Sequence, residues 1–274
     1  MNTRVILGER SDTPMSGTDL MEIAKSSVVT IRTSLAGKPA GHGTAFAYKQ
    51  VVDGDRSTIF FLTNLHNFSG SLRMYNLVLR LASAGAPEEA MTIRTCIELH
   101  GQEYEVDKIV AFRGALFAGS YPKQHDFAIF SVNCETREAI RMFALPSAEQ
   151  VRPGESVFAF GFPRETDLGI TEGIVSAVYV DHKDPNFQHQ IQHSILINPG
   201  NSGGPTVNAH GVAVGMSTWG IVGNEGSQTG INFSVNVAHT FELCRQADQI
   251  EEISMKAIYK RFVARAREHF KYGS

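Results

Sequence analysis

The stretch Asn198-Pro199-Gly200-Asn201-Ser202-Gly203-Gly204-Pro205 contains three glycines, two prolines and no large apolar side chain that could pack in a core. Glycine admits backbone angles closed to other residues, and proline fixes the angles at which the chain enters and leaves a turn. The stretch therefore predicts a sharply folded loop that presents the Ser202 side chain. The main-chain N–H groups of Gly200, Asn201 and Ser202 are expected to point towards one position, as an oxyanion hole requires. A glycine-rich hairpin turn is the alternative.

Two upstream segments favour a reactive serine over a plain turn. Residues 60–66 read as an apolar strand that ends in His66, and residues 124–130 place Asp126 at the head of another apolar strand. A serine hydroxyl is a weak nucleophile at neutral pH, so it needs a base such as imidazole to accept its proton. We therefore expect His66 to be that base and Asp126 to orient its ring.

With these residues in place, the chain resembles the HtrA (Deg)-type branch of trypsin-like serine proteases. The resemblance covers about residues 20–240 and is carried by four segments: residues 62–64 before His66, residues 125–129, residues 171–177 and residues 197–205. It implies a serine endopeptidase that cleaves unfolded or extended polypeptide through an acyl-enzyme on Ser202. HtrA proteases usually continue into a PDZ domain, for which these 274 residues leave no room.

The expected fold is all-β, with two six-stranded barrels of the chymotrypsin-like type, a short N-terminal helix and a C-terminal helical extension. Runs of apolar and β-branched residues separated by turn residues support both barrels. The expected boundaries are a flexible leader at 1–17, a protease domain at 18–240 with barrels at about 28–135 and 150–237, and a helical extension at 238–274. The short helix is expected to begin at Thr18 as N-cap.

Composition restricts the partners and the compartment. A net charge of −3 with 19% charged residues predicts no nucleic-acid binding, and the sequence contains no long apolar run that would span a membrane. The first ten residues contain only three consecutive apolar residues, too few for a secretory signal. The three cysteines are scattered and odd in number. These features predict a cytoplasmic protein with reduced thiols.

The walls of the specificity pocket are also expected from the resemblance. The pocket floor lies six residues before the nucleophile in chymotrypsin-like folds, which gives Leu196. One wall would be the strand Ser217-Thr218-Trp219-Gly220, whose main chain would pair with the substrate, and the other would include Ile231. An apolar lining predicts cleavage after small or medium aliphatic residues. The alternative is that Leu196 is a core residue and that loop 221–230 sets the preference.

Two further possibilities concern the rest of the chain. No metal site or cofactor is expected, because His189 and His193 lie on a predicted strand, where this spacing separates them by about 13 Å. The basic helix near the C-terminus is expected to pack on the protease body, with a protein partner or regulator as the less favoured possibility. The alternative function is a weakly catalytic scaffold of protease fold that acts through this helix. Loops 162–170 and 221–230 are candidate gates of the site.

Overall fold

The structure is a computed structural model, and it describes residues 3–68, 80–81, 84–87, 92–117, 121–147, 151–222 and 228–272. Within these ranges the chain is mostly β-sheet. The strands are β1 (Arg4–Leu7), β2 (Val28–Leu35), β3 (Lys38–Asp53), β4 (Arg56–Thr63), β5 (Ile93–Leu99), β6 (Gln102–Glu105), β7 (Lys108–Phe112), β8 (Ala128–Cys134), β9 (Ser156–Gly161), β10 (Gly169–Tyr179), β11 (Gln190–His193), β12 (Pro205–Asn208), β13 (Ala213–Val222), β14 (Gln228–Asn236) and β15 (Ile250–Ser254). The helices are α1 (Gly17–Ser27), α2 (Val237–Cys244) and α3 (Met255–Tyr272).

The strands form two antiparallel sheets. The second is a closed barrel in the order β10-β11-β14-β13-β12-β9. The first is a curled sheet in the order β15-β7-β8-β4-β3-β2-β5-β6, with β1 added along β3. The expected all-β, chymotrypsin-like architecture is thus confirmed. Only the second sheet closes into a six-stranded barrel among the described strands.

Each sheet surrounds its own apolar core. In the first, Phe61 of β4 and Phe130 of β8 are buried, and their rings stack with centroids 5.2 Å apart. A second cluster, which includes Leu20 of α1 and Phe160 of β9, lies where the two sheets meet. Because α1 contributes to this shared cluster, the N-terminal helix helps to fix one sheet against the other.

The helix start and the leader differ from expectation. Helix α1 is capped by Ser16, not Thr18: the Ser16 side chain accepts from the Asp19 N–H and the Asp19 carboxylate accepts from the Ser16 N–H. This reciprocal pair is a capping box, which satisfies donors at the helix start. Residues 4–7, expected to belong to a flexible leader, form strand β1 paired with β3.

Several expected strands also change. The run 104–112 reads as one strand in the sequence but divides into β6 and β7. The run 211–217 also reads as a strand and becomes the longer β13, which the separate strand β12 precedes. The run 77–82, a third such segment, falls mostly outside the described residues. The continuous helix expected after residue 237 is wrong, because β15 separates α2 from α3 and pairs with β7.

Helix α3 lies between the two ends of the curled sheet. Its first residue, Met255, donates its N–H to Asp107 O at 2.8 Å, and its Tyr259 hydroxyl is hydrogen-bonded to Thr95 of β5. Its buried apolar residues belong to the first core: Met255, Ile258, Tyr259 and Val263. These four side chains of the helix therefore pack on the protease body.

Replacing Ile258 by alanine should therefore destabilise the protein. Ile258 is 3% exposed, and removal of such a side chain leaves a cavity, at a typical cost of about 2–4 kcal/mol in the free energy of unfolding. The matched control is Lys256→Ala, because Lys256 is exposed on the same helix. Urea unfolding followed by circular dichroism measures both. Equal stability of the two variants would show that α3 does not complete the first core.

Candidate active site

His66 is carried by a short 3-10 turn, Leu65–Asn67, directly after β4. Leu65 is fully buried, so the turn is anchored in the first core while the His66 side chain stays 38% exposed. The Asn67 amide donates to Thr63 Oγ1 at 2.9 Å and to Ser202 O at 3.0 Å. The turn that carries His66 is thereby bonded to the loop that carries Ser202.

Asp126 follows a second 3-10 turn, Lys123–His125, and is 1% exposed. Its Oδ2 lies 2.7 Å from His66 Nδ1, and its Oδ1 accepts from the His66 N–H at 3.0 Å. The Tyr121 hydroxyl also donates to Oδ1, at 3.1 Å. Burial opposes the charge of this carboxylate, but the neighbouring His66 and its two hydrogen bonds hold the pKa of Asp126 below its ordinary value. Asp126 is thus a buried, ionised partner of the His66 ring.

Thr44 holds the Ser202 loop from the first sheet. Its N–H donates to Ser202 O at 2.9 Å, and its hydroxyl donates to Gly200 O at 2.6 Å. Both Gly200 and Gly203 have left-handed backbone angles, with φ of 103° and 87°. At Gly200 a β-carbon would lie 2.2 Å from Phe162 O, so this position accepts no side chain. The sequence prediction of a sharply folded loop is confirmed.

Two N–H groups of this loop remain for a ligand. Across the described ranges, no protein acceptor receives the N–H of Gly200 or of Ser202. Pro199 O accepts from the Arg164 N–H at 2.8 Å, so the Gly200 N–H across the same planar peptide points the opposite way. The N–H of Asn201, expected to act with them, instead donates to Asn198 O at 3.0 Å. Two donors, not three, are therefore available to an oxyanion.

Strand β13 runs beside the serine. Ser202 Oγ donates to Thr218 O at 3.5 Å, and Trp219 stacks on Phe233 of β14 with centroids 4.3 Å apart. Ser217 and Thr218 are buried, while Trp219 and Gly220 are half-buried. This places the main chain of the expected substrate strand next to the expected nucleophile.

Two residues expected to line the specificity pocket, Leu196 and Ile231, lie at the surface. Leu196 is 46% exposed and follows the end of β11, and Ile231 of β14 is 37% exposed. Leu196 is therefore not a core residue of the barrel. Its exposure fits an open wall better than the closed floor of a deep pocket.

The histidines that were considered as metal ligands have other contacts. His193 is fully buried and its Nε2 lies 2.9 Å from Ser234 Oγ, and the His189 ring stacks on His239. Within the described residues, no group of three or more His, Cys, Asp or Glu side chains is arranged to hold a metal ion. The three cysteines are free.

Sequence reasoning missed three residues of this site: Thr44, Asn67 and Tyr121. Asn67 follows His66 directly, so its position was a signal that its amide lies near the site. Thr44 is 158 positions before Ser202, and Tyr121 precedes Asp126 by five positions on an irregular segment. Neither belongs to a periodic pattern, so the tertiary fold alone reveals them.

The architecture is the chymotrypsin-like fold. The sequence of residues 43–216 matches the trypsin-like peptidase domain, and the chain belongs to this family. The expected resemblance to HtrA-type proteases is confirmed by the relatives and structures that follow.

The similar proteins include curated relatives and solved structures. A probable periplasmic serine endoprotease, DegP-like, of Marinomonas sp. (strain MWYL1) is 32% identical over 121 residues, 44% of this chain and 25% of that protein. Protease Do-like 5, chloroplastic, of Arabidopsis thaliana is 31% identical over 117 residues, 41% of this chain and 36% of the relative. The structure of the HtrA-type protease AlgW with tripeptide aligns with a TM-score of 0.58 and 22% sequence identity, over 84% of this chain and 63% of that chain. The structure of Deg5 aligns with a TM-score of 0.52 and 20% sequence identity, over 83% of this chain and 91% of that chain.

These comparisons correct the expected location of the protein and show how much of its relatives the chain matches. Relatives from Marinomonas and from Pseudomonas putida are named as periplasmic, which contradicts the expected cytoplasmic location. The match spans about a quarter to a third of the length of these curated relatives. In the described part of the chain, no helix has both the length and the apolar character required to cross a membrane.

Replacing Gly200 by alanine should remove activity. The added methyl group would collide with Phe162 O and displace the peptide between Pro199 and Gly200. The Gly200 N–H would then no longer point to the position of an oxyanion, so we expect kcat to fall by at least about 100-fold. Gly37→Ala is the control, because Gly37 has φ of 74° with nothing within 4 Å of the added atom. It should cost about 1 kcal/mol of stability and leave kcat unchanged. Steady-state kinetics on a peptide substrate compares the two.

Proposed function

We propose that this protein is a serine endopeptidase whose catalytic triad is His66, Asp126 and Ser202. The observation that carries the proposal is the 2.7 Å contact between Asp126 Oδ2 and His66 Nδ1, on a turn whose Asn67 amide reaches the Ser202 main chain. Membership of the trypsin-like peptidase family supports the same conclusion.

The proposed reaction begins with attack of Ser202 Oγ on the carbonyl carbon of the scissile peptide. His66 Nε2 accepts the serine proton and then donates it to the leaving amine, which departs as the acyl-enzyme forms. Water, deprotonated by His66, then attacks the ester carbonyl, and the bond to Ser202 Oγ breaks as His66 returns the proton to that oxygen and the acid is released. Each tetrahedral intermediate carries an oxyanion, and the free N–H groups of Gly200 and Ser202 would each stabilise it by about 3 kcal/mol.

Asp126 would fix the histidine in the productive form. A carboxylate at Nδ1 keeps the proton on that nitrogen, which leaves Nε2 as the acceptor. It also stabilises the imidazolium that forms during the reaction. The buried, ionised state of Asp126 supports this role, since a charge screened by water would act more weakly on the ring.

The substrate is proposed to be extended polypeptide that pairs with strand β13. The main chain of Trp219 and Gly220 lies next to Thr218, whose carbonyl contacts the Ser202 hydroxyl. An extended peptide that adds to this strand would place its scissile bond at the serine. The scaffold alternative lacks a comparable observation among the described residues, because the large apolar side chains described on α3, namely Met255, Ile258, Tyr259 and Val263, are buried in the first core.

Alanine at any triad position should abolish hydrolysis without unfolding the protein. Triad members act as a unit, so His66→Ala, Asp126→Ala and Ser202→Ala should each lower kcat by about 1,000-fold or more. A fluorophosphonate probe should label the unmodified protein but not Ser202→Ala, while the exposed Ser147→Ala serves as a labelling control. Substantial protease activity in purified Ser202→Ala protein would contradict the assignment.

Cleavage should follow aliphatic residues such as Val, Ile, Leu or Ala. Leu196 and Ile231 offer apolar surface and no carboxylate, so an aliphatic side chain gains burial against them while an arginine or lysine side chain finds no charged partner. A positional-scanning peptide library measures the preference. Leu196→Asp should raise relative cleavage after lysine and arginine, and Val5→Asp on β1 is the control at another exposed aliphatic residue. Dominant cleavage after basic residues by the unmodified protein would disprove this pocket.

A further inference from the structure

The two oxygens of the Asp126 carboxylate have different partners. Oδ2 contacts the His66 ring, whereas Oδ1 accepts from the His66 N–H at 3.0 Å and from the Tyr121 hydroxyl at 3.1 Å. A carboxylate oxygen that receives two donors has much of its charge satisfied there. The Tyr121 hydroxyl is therefore a direct partner of the carboxylate that orients the histidine.

Nearby polar side chains are bonded elsewhere. The buried Thr218 hydroxyl donates to Met216 O at 2.8 Å, so its proton does not reach the carboxylate. The Asn64 amide donates to Thr218 Oγ1 at 3.1 Å and to the main-chain O of Asp126 at 2.9 Å. These bonds hold the backbone of Asp126 but leave its side chain to His66 and Tyr121.

We propose that Tyr121 is a positioning residue of the reaction, which fixes Oδ1 of Asp126 and moderates the charge that the carboxylate exerts on His66. The inference rests on the proposed triad. The hydroxyl proton attracts electron density towards Oδ1, and so away from the oxygen that faces the ring. Without that bond, only the His66 N–H would remain on Oδ1, so more of the charge of Asp126 would act on the imidazolium.

Other charges near the carboxylate are few among the described residues. Lys123, on the turn that precedes Asp126, stabilises the carboxylate electrostatically, and His66 faces it from the turn after β4. His125 turns its ring onto Phe112, with centroids 3.5 Å apart, and burial lowers the pKa of His125 to about 4, with His189 as a smaller cause. His125 is thus neutral near pH 7. The charge of Lys123 is the same with or without the Tyr121 hydroxyl, so it does not contribute to a difference between the two proteins.

Nuclear magnetic resonance titration of the His66 ring tests the proposal without any need for activity. In Tyr121→Phe, made in the Ser202→Ala background to prevent self-cleavage, the titration of the His66 ring should move to higher pH. Phenylalanine keeps the ring and removes only the hydroxyl. Tyr104→Phe is the control, because the Tyr104 hydroxyl donates to Gln102, away from the site. An unchanged or lowered midpoint would overturn the proposal.

Kinetics of Tyr121→Phe with Ser202 intact gives the functional readout. The acidic limb of the pH profile of kcat/KM should move to higher pH by the same amount, because a protonated His66 cannot act as base. We expect kcat on its plateau to fall about three- to tenfold with KM unchanged, since the carboxylate loses one of its fixed partners. A uniform loss at all pH values, with no shift of the limb, would indicate packing alone and overturn the proposal.

The two proposals fail in different ways. Activity retained by Ser202→Ala would disprove the triad, whatever Tyr121 does. An inactive Ser202→Ala protein, together with an unmoved His66 titration in Tyr121→Phe, would disprove the role of Tyr121 and leave the triad intact. Thermal unfolding of Tyr121→Phe should match that of Tyr104→Phe, which separates a local effect from loss of the fold.

Discussion

The two hydrogen bonds from Thr44 to the Ser202 loop set the geometry on which the site depends. Thr44 is fully buried in the first sheet, while the loop belongs to the closed barrel. A shift between the two sheets would leave its N–H and the carbonyls of Gly200 and Ser202 unpaired, at about 1–3 kcal/mol for each buried group. The relative position of the sheets is therefore fixed by polar bonds as well as by the apolar cluster between them.

This arrangement places most polar groups of the site in fixed positions before any ligand binds. Asn67, Thr44 and Asn64 each bridge segments that are far apart in sequence. Preorganised dipoles cost no reorganisation when charge develops, which is why such sites stabilise ions better than water does. The buried Asp126 fits this picture, since its charge is satisfied by protein donors.

The sequence was informative wherever a local signal existed. Glycine and proline around Ser202 require a sharp turn, and the ends of apolar strands located His66 and Asp126, so the contact between these two could be anticipated. Tyr121 has no local signal, because its role depends on how its segment packs. Strand β15 was missed because Ile250 and Ile253 are three residues apart, a spacing that suits a helix as well, and pairing with β7 decided the outcome.

Strand β15 and helix α3 are synthesised after the rest of the curled sheet that they complete. The curled sheet that holds His66 and Asp126 starts near the N-terminus, but its core is completed by residues 250–263. Contacts over such sequence separations form slowly, and a chain emerging from the ribosome cannot make them until residues 250–263 have been synthesised. The nascent polypeptide would thus carry His66 and Asp126 on an incomplete sheet until that segment leaves the ribosome, so the geometry between these two side chains is completed late in folding.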